Sequence, residues 1–313
     1  MAKVFRSPVQ LLQRNVVGFK RFFASENRKG CKEVKKKSLM TVEDKVVMIT
    51  GGSSGIGLAI AREMMAQKAK GVVICGVNKQ QGEEAASCLN VCEEETKAKF
   101  LEMDVRILKT FESVMKKIID CFGSLDILVN NAGIFEEAKW EQTVSVNING
   151  TVNGVLLAHR FMGQNSDGGL VINVADTYGL EPFPYAPIYS ATKYAVIGLT
   201  KAFGHPDIYE KTKIRVVALC PAVTQTDMLE NKQPMLNKKW EDKAYETLKM
   251  SPQQHAKAVG KAANHLIQYA QTGTIWPVEC TVLHKVTFPN RISYCNKVIE
   301  LGFPGTDSST DCQ

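Results

Sequence analysis

The sequence of 313 residues predicts an α/β fold, with a doubly wound parallel sheet between two layers of helices in a three-layer αβα domain. Short apolar segments with β-branched residues alternate with helical stretches along most of the chain, as in parallel sheets that are buried on both faces. The first apolar segment, 46–49, runs directly into a glycine-rich turn, 51–57, that opens a helix. These two observations carry the prediction of the fold class.

The remaining elements follow the same alternation. Strands are predicted at 46–49, 72–75, 98–103, 127–129, 170–174 and 214–220. Helices are predicted at 58–67, 81–95, 107–121, 140–162, 189–203 and 253–270. Because no internal repeat is evident, we expect a basic N-terminal leader at 1–41, one doubly wound domain at 42–290 and a C-terminal tail at 291–313.

Composition excludes several classes of protein. The hydrophobic fraction of 44% and the charged fraction of 23% are those of a globular protein. No uninterrupted apolar run reaches the roughly 18 residues of a membrane-spanning helix, so we expect no stable membrane insertion. The nine cysteines and five histidines show no metal-ligand spacing. They therefore predict reduced thiols in an intracellular compartment, and no metal site.

The net charge of +7 is concentrated at the N-terminus, where residues 1–40 hold eleven Lys and Arg against two acidic residues. The domain itself has no basic excess, so we expect no nucleic-acid partner. Residues 1–25 interleave cations with apolar residues and lack acidic ones, which resembles a mitochondrial transit peptide. A disordered basic arm is the alternative interpretation. The expected location is mitochondrial if this segment is an import signal, and otherwise cytoplasmic.

Three glycines in the turn, Gly51, Gly55 and Gly57, indicate a nucleotide site. They let the backbone turn tightly and let a pyrophosphate approach the start of the next helix, where free N–H groups and the helix dipole favour an anion. Their spacing differs from the common Gly-x-Gly-x-x-Gly pattern. The strand before the turn and the helix after it nevertheless give the glycines the context that a nucleotide-binding turn requires.

A second pattern indicates proton transfer. Tyr189 and Lys193 are four residues apart and share one face of a helix. An ammonium beside a phenol lowers the pKa of the phenol, which makes it an acid or base for an alcohol oxygen near neutral pH. Pairs with this spacing also occur by chance on solvated helix surfaces, so the pair alone is weak.

Taken in order, the motifs resemble the short-chain dehydrogenase/reductase family, whose fold is of the Rossmann type. The matching residues are 50–57, Asp104-Val105, 130–133, Asn147, Tyr189-x-x-x-Lys193 and Pro221-Ala222-x-x-x-Thr226. Within the family the sequence looks most like the branch of insect alcohol dehydrogenases and 15-hydroxyprostaglandin dehydrogenases, a resemblance that residues 273–276 support.

The resemblance implies a nicotinamide cofactor, NAD or NADP, and assigns residues to each part of it. These are Gly51, Ser53, Gly55, Ile56 and Gly57 at the pyrophosphate, Asp104 and Val105 at the adenine, Asn131, Ala132 and Gly133 on the ribose side, Lys193 at the nicotinamide ribose and Thr226 at the nicotinamide amide or a nearby phosphate. For Asp104 and Asn131, a purely structural role in turns is the alternative.

The resemblance also implies a catalytic set. Tyr189 would be the acid/base, Lys193 would lower its pKa, and Asn147 would hold a water in a proton relay. The family's fourth member is a serine thirteen residues before the tyrosine, where this chain has Asp176. The catalytic set is therefore predicted with one altered member.

Asp176 leaves three interpretations open: the carboxyl group is protonated, Thr177 supplies the hydroxyl, or catalysis is weak or lost. An ionised carboxylate cannot donate a hydrogen bond to a carbonyl oxygen, and its charge disfavours phenolate at Tyr189. A protonated Asp176 could donate instead, as carboxylic acids with a raised pKa do. Thr177 could supply the hydroxyl, although strand alternation points it away. The last interpretation is a relative with weak or lost catalysis.

Gly76 leaves the cofactor open. It lies nineteen residues beyond Gly57, where a relative that prefers NAD has an acidic residue for the ribose. The branch resemblance favours NAD, and the missing acid argues against it.

The predicted function is that of an NAD(P)-dependent oxidoreductase, with hydride passing between the cofactor and a secondary alcohol or ketone, or a lipid-like alcohol. The alternative is a catalytically weak or inactive nucleotide-binding member of the family. Met228, Met235, Leu236 and Trp240 fit a segment covering an apolar small-molecule substrate, and equally a helix packed on the sheet. The resemblance also implies a homodimer or homotetramer.

Overall fold

The structure is a computed structural model that describes residues 37–92, 97–163, 168–289 and 293. The described residues from Ser38 onward form one compact unit. The predicted leader up to residue 36, and with it the expectation of mitochondrial import, lies outside the described residues. So does the predicted tail, apart from Ser293.

An eight-stranded sheet forms the centre of the unit, in the order β3-β2-β1-β4-β5-β6-β9-β10. Neighbouring strands run parallel except for β10, which pairs antiparallel with β9. The strands of this sheet are β1 (Val46–Thr50), β2 (Gly71–Gly76), β3 (Lys97–Glu102), β4 (Ile127–Asn130), β5 (Gly169–Val174), β6 (Ile214–Pro221), β9 (Ile275–Glu279) and β10 (Val282–Leu283). Two further short strands, β7 (Thr224–Gln225) and β8 (Gln254–His255), pair with each other.

Helices cover both faces of the sheet. They are α1 (Gly55–Ala66), α2 (Lys79–Cys92), α3 (Leu108–Phe122), α4 (Trp140–Val144), α5 (Gly150–Phe161), α6 (Pro187–Phe203), α7 (Pro206–Thr212), α8 (Asp227–Glu230), α9 (Lys238–Met250) and α10 (Ala256–Tyr269). A π-helical turn, Ser145–Asn149, joins α4 to α5, and a 3-10 turn, Thr177–Gly179, follows β5. None of the helices within the described residues is both long enough and apolar enough to cross a membrane.

Strand β1 shows how one segment serves both helical layers. Val47 and Ile49 belong to a buried cluster with Ile60 of α1, whereas Val46 and Met48 belong to a second buried cluster on the side of α3. Successive side chains of a strand point to opposite faces of the sheet. All five residues of β1 are buried, as expected for a central strand covered on both sides.

The order of the strands reverses at β1, which pairs with β2 on one side and with β4 on the other. Open α/β sheets bind ligands in the crevice beyond the carboxyl ends of the strands at such a point. Thr50 ends β1 and Asn130 ends β4, so the segments that follow them meet at this edge of the sheet.

The structure confirms the predicted doubly wound α/β fold, with corrections to its elements. The predicted helix at 140–162 is divided by the π-helical turn. Helix α6 begins at Pro187 rather than at Tyr189, because proline suits the first turn of a helix, where the N–H has no partner. The sequence-based elements did not include α7, α9, β9 and β10, of which α9 is polar and the others are short.

Candidate active site

The glycine turn, defined as residues 50–57, connects β1 to α1 and is shaped by close backbone contacts. Gly51 has a φ of 62°, in the region that side chains disfavour, and a Cβ there would lie 2.9 Å from Cα of Ala132. A Cβ on Gly57 would lie 2.2 Å from the carbonyl oxygen of Gly51. Contacts this short leave no room for a methyl group, so the turn requires glycine at these places.

Hydrogen bonds of two side chains, one at the end of β1 and one just after β4, stabilise the glycine turn. The hydroxyl of Thr50 accepts hydrogen bonds from the backbone N–H groups of Asn131 and Ala132, each at 3.0 Å. The amide of Asn131 donates to the carbonyl oxygens of Thr50 and Gly51 at 3.0 and 2.9 Å. Asn131, which is predicted to lie on the ribose side of the cofactor, thus also holds the turn in shape together with Thr50.

The turn retains unused hydrogen-bond donors that fit a phosphate group. Ser54 precedes α1 without a side-chain hydrogen bond to the N–H groups of the first turn, and these groups favour an anion. The hydroxyl of Ser53 is buried and has no hydrogen-bond partner. A buried polar group normally has a partner, so this arrangement suits the pyrophosphate of a dinucleotide cofactor.

A cleft of about 260 Å³ opens at this edge of the sheet and joins the glycine turn to Tyr189. Of the predicted cofactor residues, those lining it are Gly51, Gly55, Ile56, Asn131, Ala132, Gly133, Lys193 and Thr226. Ser53 and Gly57 lie in the turn behind that wall. Asp104 and Val105 do not line the cleft: the carboxylate of Asp104 pairs with Arg106 at 2.6 Å, and Val105 is buried.

Tyr189 and Asp176 contact each other directly. The hydroxyl of Tyr189 donates to Oδ2 of Asp176 at 2.9 Å. Oδ1 of Asp176 accepts from the backbone N–H of Tyr178 at 2.8 Å and from the hydroxyl of Thr177 at 3.4 Å. Asp176 lies just past the end of β5 and caps the 3-10 turn, which fixes its carboxylate against the tyrosine. Thr177 points to this carboxylate and does not line the cleft.

The electrostatics of this contact oppose phenolate formation. Burial, followed by the charge of Asp176 and the hydrogen bond to it, raises the pKa of Tyr189 well above its usual value. Burial raises the pKa of Asp176, and the positive charge of Lys193 opposes that rise. The phenol therefore keeps its proton at neutral pH, and the carboxyl group is the more easily titrated member of the pair.

Lys193 lies one helical turn beyond Tyr189 on the same face of α6. Its ammonium is 5.4 Å from the centroid of the Tyr189 ring and donates to the carbonyl oxygen of Val174 at 3.2 Å. Burial lowers its pKa, whereas the charge of Asp176 raises it. Only 6% of the Lys193 surface is exposed, so the amine is held in place on the wall of the cleft.

Asn147 lies behind this wall, in the π-helical turn. Its Oδ1 accepts from the backbone N–H of Ile134 at 2.9 Å, and its Nδ2 donates to the carbonyl oxygen of Ile134 and to the hydroxyl of Thr192. A Cβ on Gly133 would lie 3.3 Å from Oδ1 of Asn147 and 3.6 Å from Nζ of Lys193. Asn147 is thus close to Lys193 but does not line the cleft. Single π-helical turns are frequent at functional sites.

The sequence did not single out Glu137, which holds the first turn of α6. Its side chain is fully buried and accepts from the N–H groups of Tyr189 at 2.6 Å and of Ile188 at 3.3 Å. Ala186 precedes the helix and cannot cap it with its side chain. Burial raises the pKa of Glu137, and these two donors oppose the rise. No local pattern could reveal a cap that comes from 52 residues away.

The far end of the cleft is apolar and partly aromatic. Its walls include Phe135, Tyr178, Met228, Leu229 and Leu248. Of the four residues predicted to cover a substrate, Met228 therefore lines the cleft. Met235 packs in a buried cluster with Tyr245 of α9, whereas Leu236 and Trp240 are partly exposed to solvent. The segment that contains these four residues therefore lines the cleft through Met228 and packs on the domain through Met235.

Gly76 ends β2 beside the glycine turn. A Cβ there would lie 3.3 Å from the hydroxyl oxygen of Ser53. Gly76 therefore lies next to the glycine turn and carries no side chain, and its place in cofactor selection stays a prediction.

Curated proteins of other organisms are similar to this chain in sequence. 15-Hydroxyprostaglandin dehydrogenase (NAD(+)) of Mus musculus is 36% identical over 165 residues, which are 52% of this chain and 61% of the mouse protein. The chain thus matches less than two thirds of that protein's length. The development-specific 25 kDa protein of Sarcophaga peregrina is 28% identical over 214 residues, 68% of this chain and 82% of that protein.

One solved structure and one family model also match this chain. The crystal structure of levodione reductase superposes with a TM-score of 0.67 at 26% identity, over 76% of this chain and 96% of the reductase. A family model described as short chain dehydrogenase matches residues 45–237, more than half of the chain. The chain therefore belongs to the short chain dehydrogenase family.

Proposed function

We propose that the protein is a nicotinamide-dependent oxidoreductase acting on a small apolar substrate, in the first instance a ketone or the corresponding secondary alcohol. The observation that carries the proposal is the single cleft that joins the glycine turn to Tyr189 and Lys193. A nicotinamide cofactor supplies or accepts the hydride when it is bound. Family membership supports this reading, and the apolar far wall supports the substrate class.

In this proposal the residues around the cleft have the following tasks. The uncapped start of α1 and the hydroxyl of Ser53 hold the pyrophosphate. Lys193 binds the ribose next to the nicotinamide and keeps a positive charge near Tyr189. Tyr189 donates its phenolic proton to the substrate oxygen, and Asn147 fixes the loop at Ile134 that borders Lys193.

In the direction of ketone reduction, Tyr189 would act as the proton donor, because its raised pKa keeps the phenol protonated at neutral pH. In the ground state that proton is shared with Asp176. Proton donation to a ketone therefore requires that Asp176 be protonated as well, which its raised pKa assists.

For the cofactor, we propose that the site binds NAD(H) without excluding NADP(H). The relative from Mus musculus carries NAD(+) in its name. Gly76 offers no carboxylate to bind the ribose 2′-hydroxyl or to repel a 2′-phosphate.

A second candidate function is cofactor binding without turnover. The hydrogen bond from Tyr189 to Asp176 favours it, since this bond occupies the hydroxyl that would donate to a substrate. Both candidates share the glycine turn, so cofactor affinity alone does not distinguish them. Assembly as a homodimer or homotetramer stays a prediction under either one.

The test uses the purified full chain. NADH and NADPH are titrated by fluorescence, and a panel of ketones and secondary alcohols is then assayed with each cofactor. Tyr189→Phe should lower turnover by about 10²–10⁴ and leave cofactor affinity unchanged, because it removes only the transferable proton. Tyr194→Phe is the matched control: Tyr194 lies on the same helix and donates to Leu180 outside the cleft.

The two candidates predict different results. Wild-type turnover that is lost in Tyr189→Phe and kept in Tyr194→Phe supports the oxidoreductase. Tight cofactor binding with no turnover on any substrate supports the binding function. Turnover that survives Tyr189→Phe contradicts the assigned role of the tyrosine.

A further inference from the structure

The carboxylate of Asp176 faces the cleft at the place where a substrate's reacting atom must meet Tyr189. Its three hydrogen bonds come from the hydroxyl of Tyr189, the backbone of Tyr178 and the hydroxyl of Thr177. All three donors are neutral groups. They fix the orientation of the carboxylate and leave its negative charge without a directly bonded cation.

Charge on the cleft wall favours a positive ligand. Among the described residues that line the cleft, Asp176 and Asp227 are acidic and Lys193 is basic. The ammonium of Lys193 hydrogen-bonds the carbonyl oxygen of Val174. The basic side chain on this wall is therefore already engaged by the backbone, and a cation bound beside Asp176 would favour the ionised form of its carboxyl group.

The apolar side of the cleft is also suited to a cation. Tyr178 and Phe135 line it, and the ring of Phe135 meets that of Tyr189 edge to face at 4.8 Å. Aromatic faces attract cations through the ring quadrupole, and more strongly where water is excluded. The carboxylate therefore favours a positive charge, and the rings favour an otherwise apolar molecule around it.

We propose that this cleft accepts substrates with a protonated nitrogen at the reacting bond, and that it reduces a protonated C=N bond better than a ketone. This further activity rests on the proposed hydride transfer and concerns the same site. It assigns to Asp176 the role of binding the N–H group of the substrate.

The electron and proton balance explains the preference. Hydride addition to the carbon of a protonated imine moves the π electrons onto nitrogen and yields a neutral amine, while the reduced nicotinamide loses two electrons. No further proton is needed. A ketone accepts hydride only with a proton for its oxygen, and an ionised Asp176 holds the phenolic proton of Tyr189 in a hydrogen bond.

The first readout is equilibrium binding, which requires no turnover. Benzylammonium and benzyl alcohol differ only in the group that would meet the carboxylate, and their affinities for the full chain are compared by calorimetry, with and without NADPH. Because hydrogen bonds to charged groups are the stronger ones, we expect benzylammonium to bind about tenfold tighter or more. Asp176→Asn keeps the shape of the side chain and should abolish this difference.

Asp242→Asn is the matched control, since Asp242 is an exposed acidic residue that does not line the cleft. It should keep the preference for ammonium. The second readout is reduction of 3,4-dihydroisoquinoline against 1-tetralone by wild type and by Asp176→Asn. We expect the imine to react at least about tenfold faster in wild type, and the ratio to fall in the variant. Thermal unfolding of Asp176→Asn and Asp176→Ser checks that both variants are folded.

The outcomes separate this inference from the proposed function. Equal affinities for the two benzyl ligands, or a preference that survives in Asp176→Asn, overturn the inference. If such a protein still reduces the ketone, the proposed oxidoreductase stands. An ammonium preference that depends on Asp176 without reduction of either substrate supports the cation site and overturns the imine reduction, while the panel of ketones and secondary alcohols decides on the proposed hydride transfer.

Discussion

The half of the cleft at the glycine turn, which we call the cofactor half after its proposed role, is held by backbone contacts. The chemistry half, which we define as Asp176, Tyr189 and Lys193, is held by buried ionisable side chains. In the cofactor half, a Cβ would collide with backbone atoms at Gly51 and Gly57. In the chemistry half, the charge of one carboxyl group alters the pKa of both neighbours.

This difference indicates which amino-acid substitutions each half of the cleft tolerates. A turn defined by close backbone contact keeps its shape under many substitutions but loses it with one added methyl group. A group of coupled charges keeps its shape when one member is replaced, yet its proton affinities change together. Asp176 is such a replacement relative to the family pattern, and the geometry around Tyr189 and Lys193 remains ordered.

The largest expected effect comes from the cofactor half. In Gly57→Ala the added methyl group would lie 2.2 Å from the carbonyl oxygen of Gly51, which is backbone and cannot turn aside. We expect cofactor affinity to fall at least about 100-fold and the free energy of unfolding to fall by about 2–3 kcal/mol. Fluorescence titration and urea denaturation measure the two quantities.

Gly198→Ala is its control. Gly198 is an exposed residue within α6, and a Cβ there meets nothing within 4 Å. The free energy of unfolding should rise by about 0.5–1 kcal/mol, because alanine favours helix more than glycine does. Normal cofactor binding by Gly57→Ala would show that the turn does not depend on close backbone contact.

The next effect belongs to the chemistry half. Asp176→Ser removes a negative charge and restores a hydroxyl that can donate to a carbonyl oxygen. We expect kcat/KM for ketones to rise about 10- to 100-fold, since one such donor is worth about 10²–10³ in rate. The pKa of Tyr189 should fall, which ultraviolet titration of the phenol detects.

Two results would revise the picture of Asp176. Turnover seen only in Asp176→Ser would leave the natural chain as a binding protein. A slower ketone reaction in Asp176→Ser, with cofactor affinity unchanged, would instead show that the natural carboxyl group is itself the donor.

A smaller effect concerns cofactor choice. Gly76→Asp places a carboxylate at the end of β2, beside the unpartnered hydroxyl of Ser53. It should bind the ribose 2′-hydroxyl of NADH and repel the 2′-phosphate of NADPH, changing the ratio of their dissociation constants by about tenfold. Gly76→Asn has the same shape without the charge and should change that ratio little. Equal changes in both variants would assign the effect to shape.

The smallest effect is a pH dependence at Glu137. Its pKa is raised by burial, so the native state holds this proton more tightly than the unfolded chain. The contribution of Glu137 to stability is then full below its unfolded pKa and is lost as the pH rises through its folded pKa. Glu137→Gln does not titrate, so its stability relative to wild type should increase from pH 4 to pH 7 in urea denaturation, on top of a constant cost because its amide nitrogen cannot accept from the second N–H group.

Glu137→Ala measures the contribution of the helix cap, whereas Glu137→Gln measures that of the titrating carboxyl group. It removes both acceptor oxygens from the start of α6 and should cost about 0.5–2 kcal/mol at every pH in that range. A wild-type to Glu137→Gln difference that is constant with pH would mean that Glu137 does not titrate with folding.

Much of the fold could be predicted from the sequence, because its signals are local. The apolar segment 46–49 and the glycines after it fix the first strand, the turn and the helix that follow in sequence, and the structure has all three. The missed elements had weak local signals. Strand β10 has two residues, and α9 is amphipathic but mostly polar.

The sequence by itself determined the α/β architecture and the strand, glycine turn and helix at its start, and the family resemblance indicated Asp176 as the residue at the altered catalytic position. Strand alternation and glycine spacing act over a few residues, so they can be read along the chain. Only the tertiary structure decided that Asp176 accepts the hydrogen bond of Tyr189, that Glu137 caps α6 and that Asp104 pairs with Arg106 away from the cleft. The physical reason is that proton affinities depend on burial and on charges brought close by the fold.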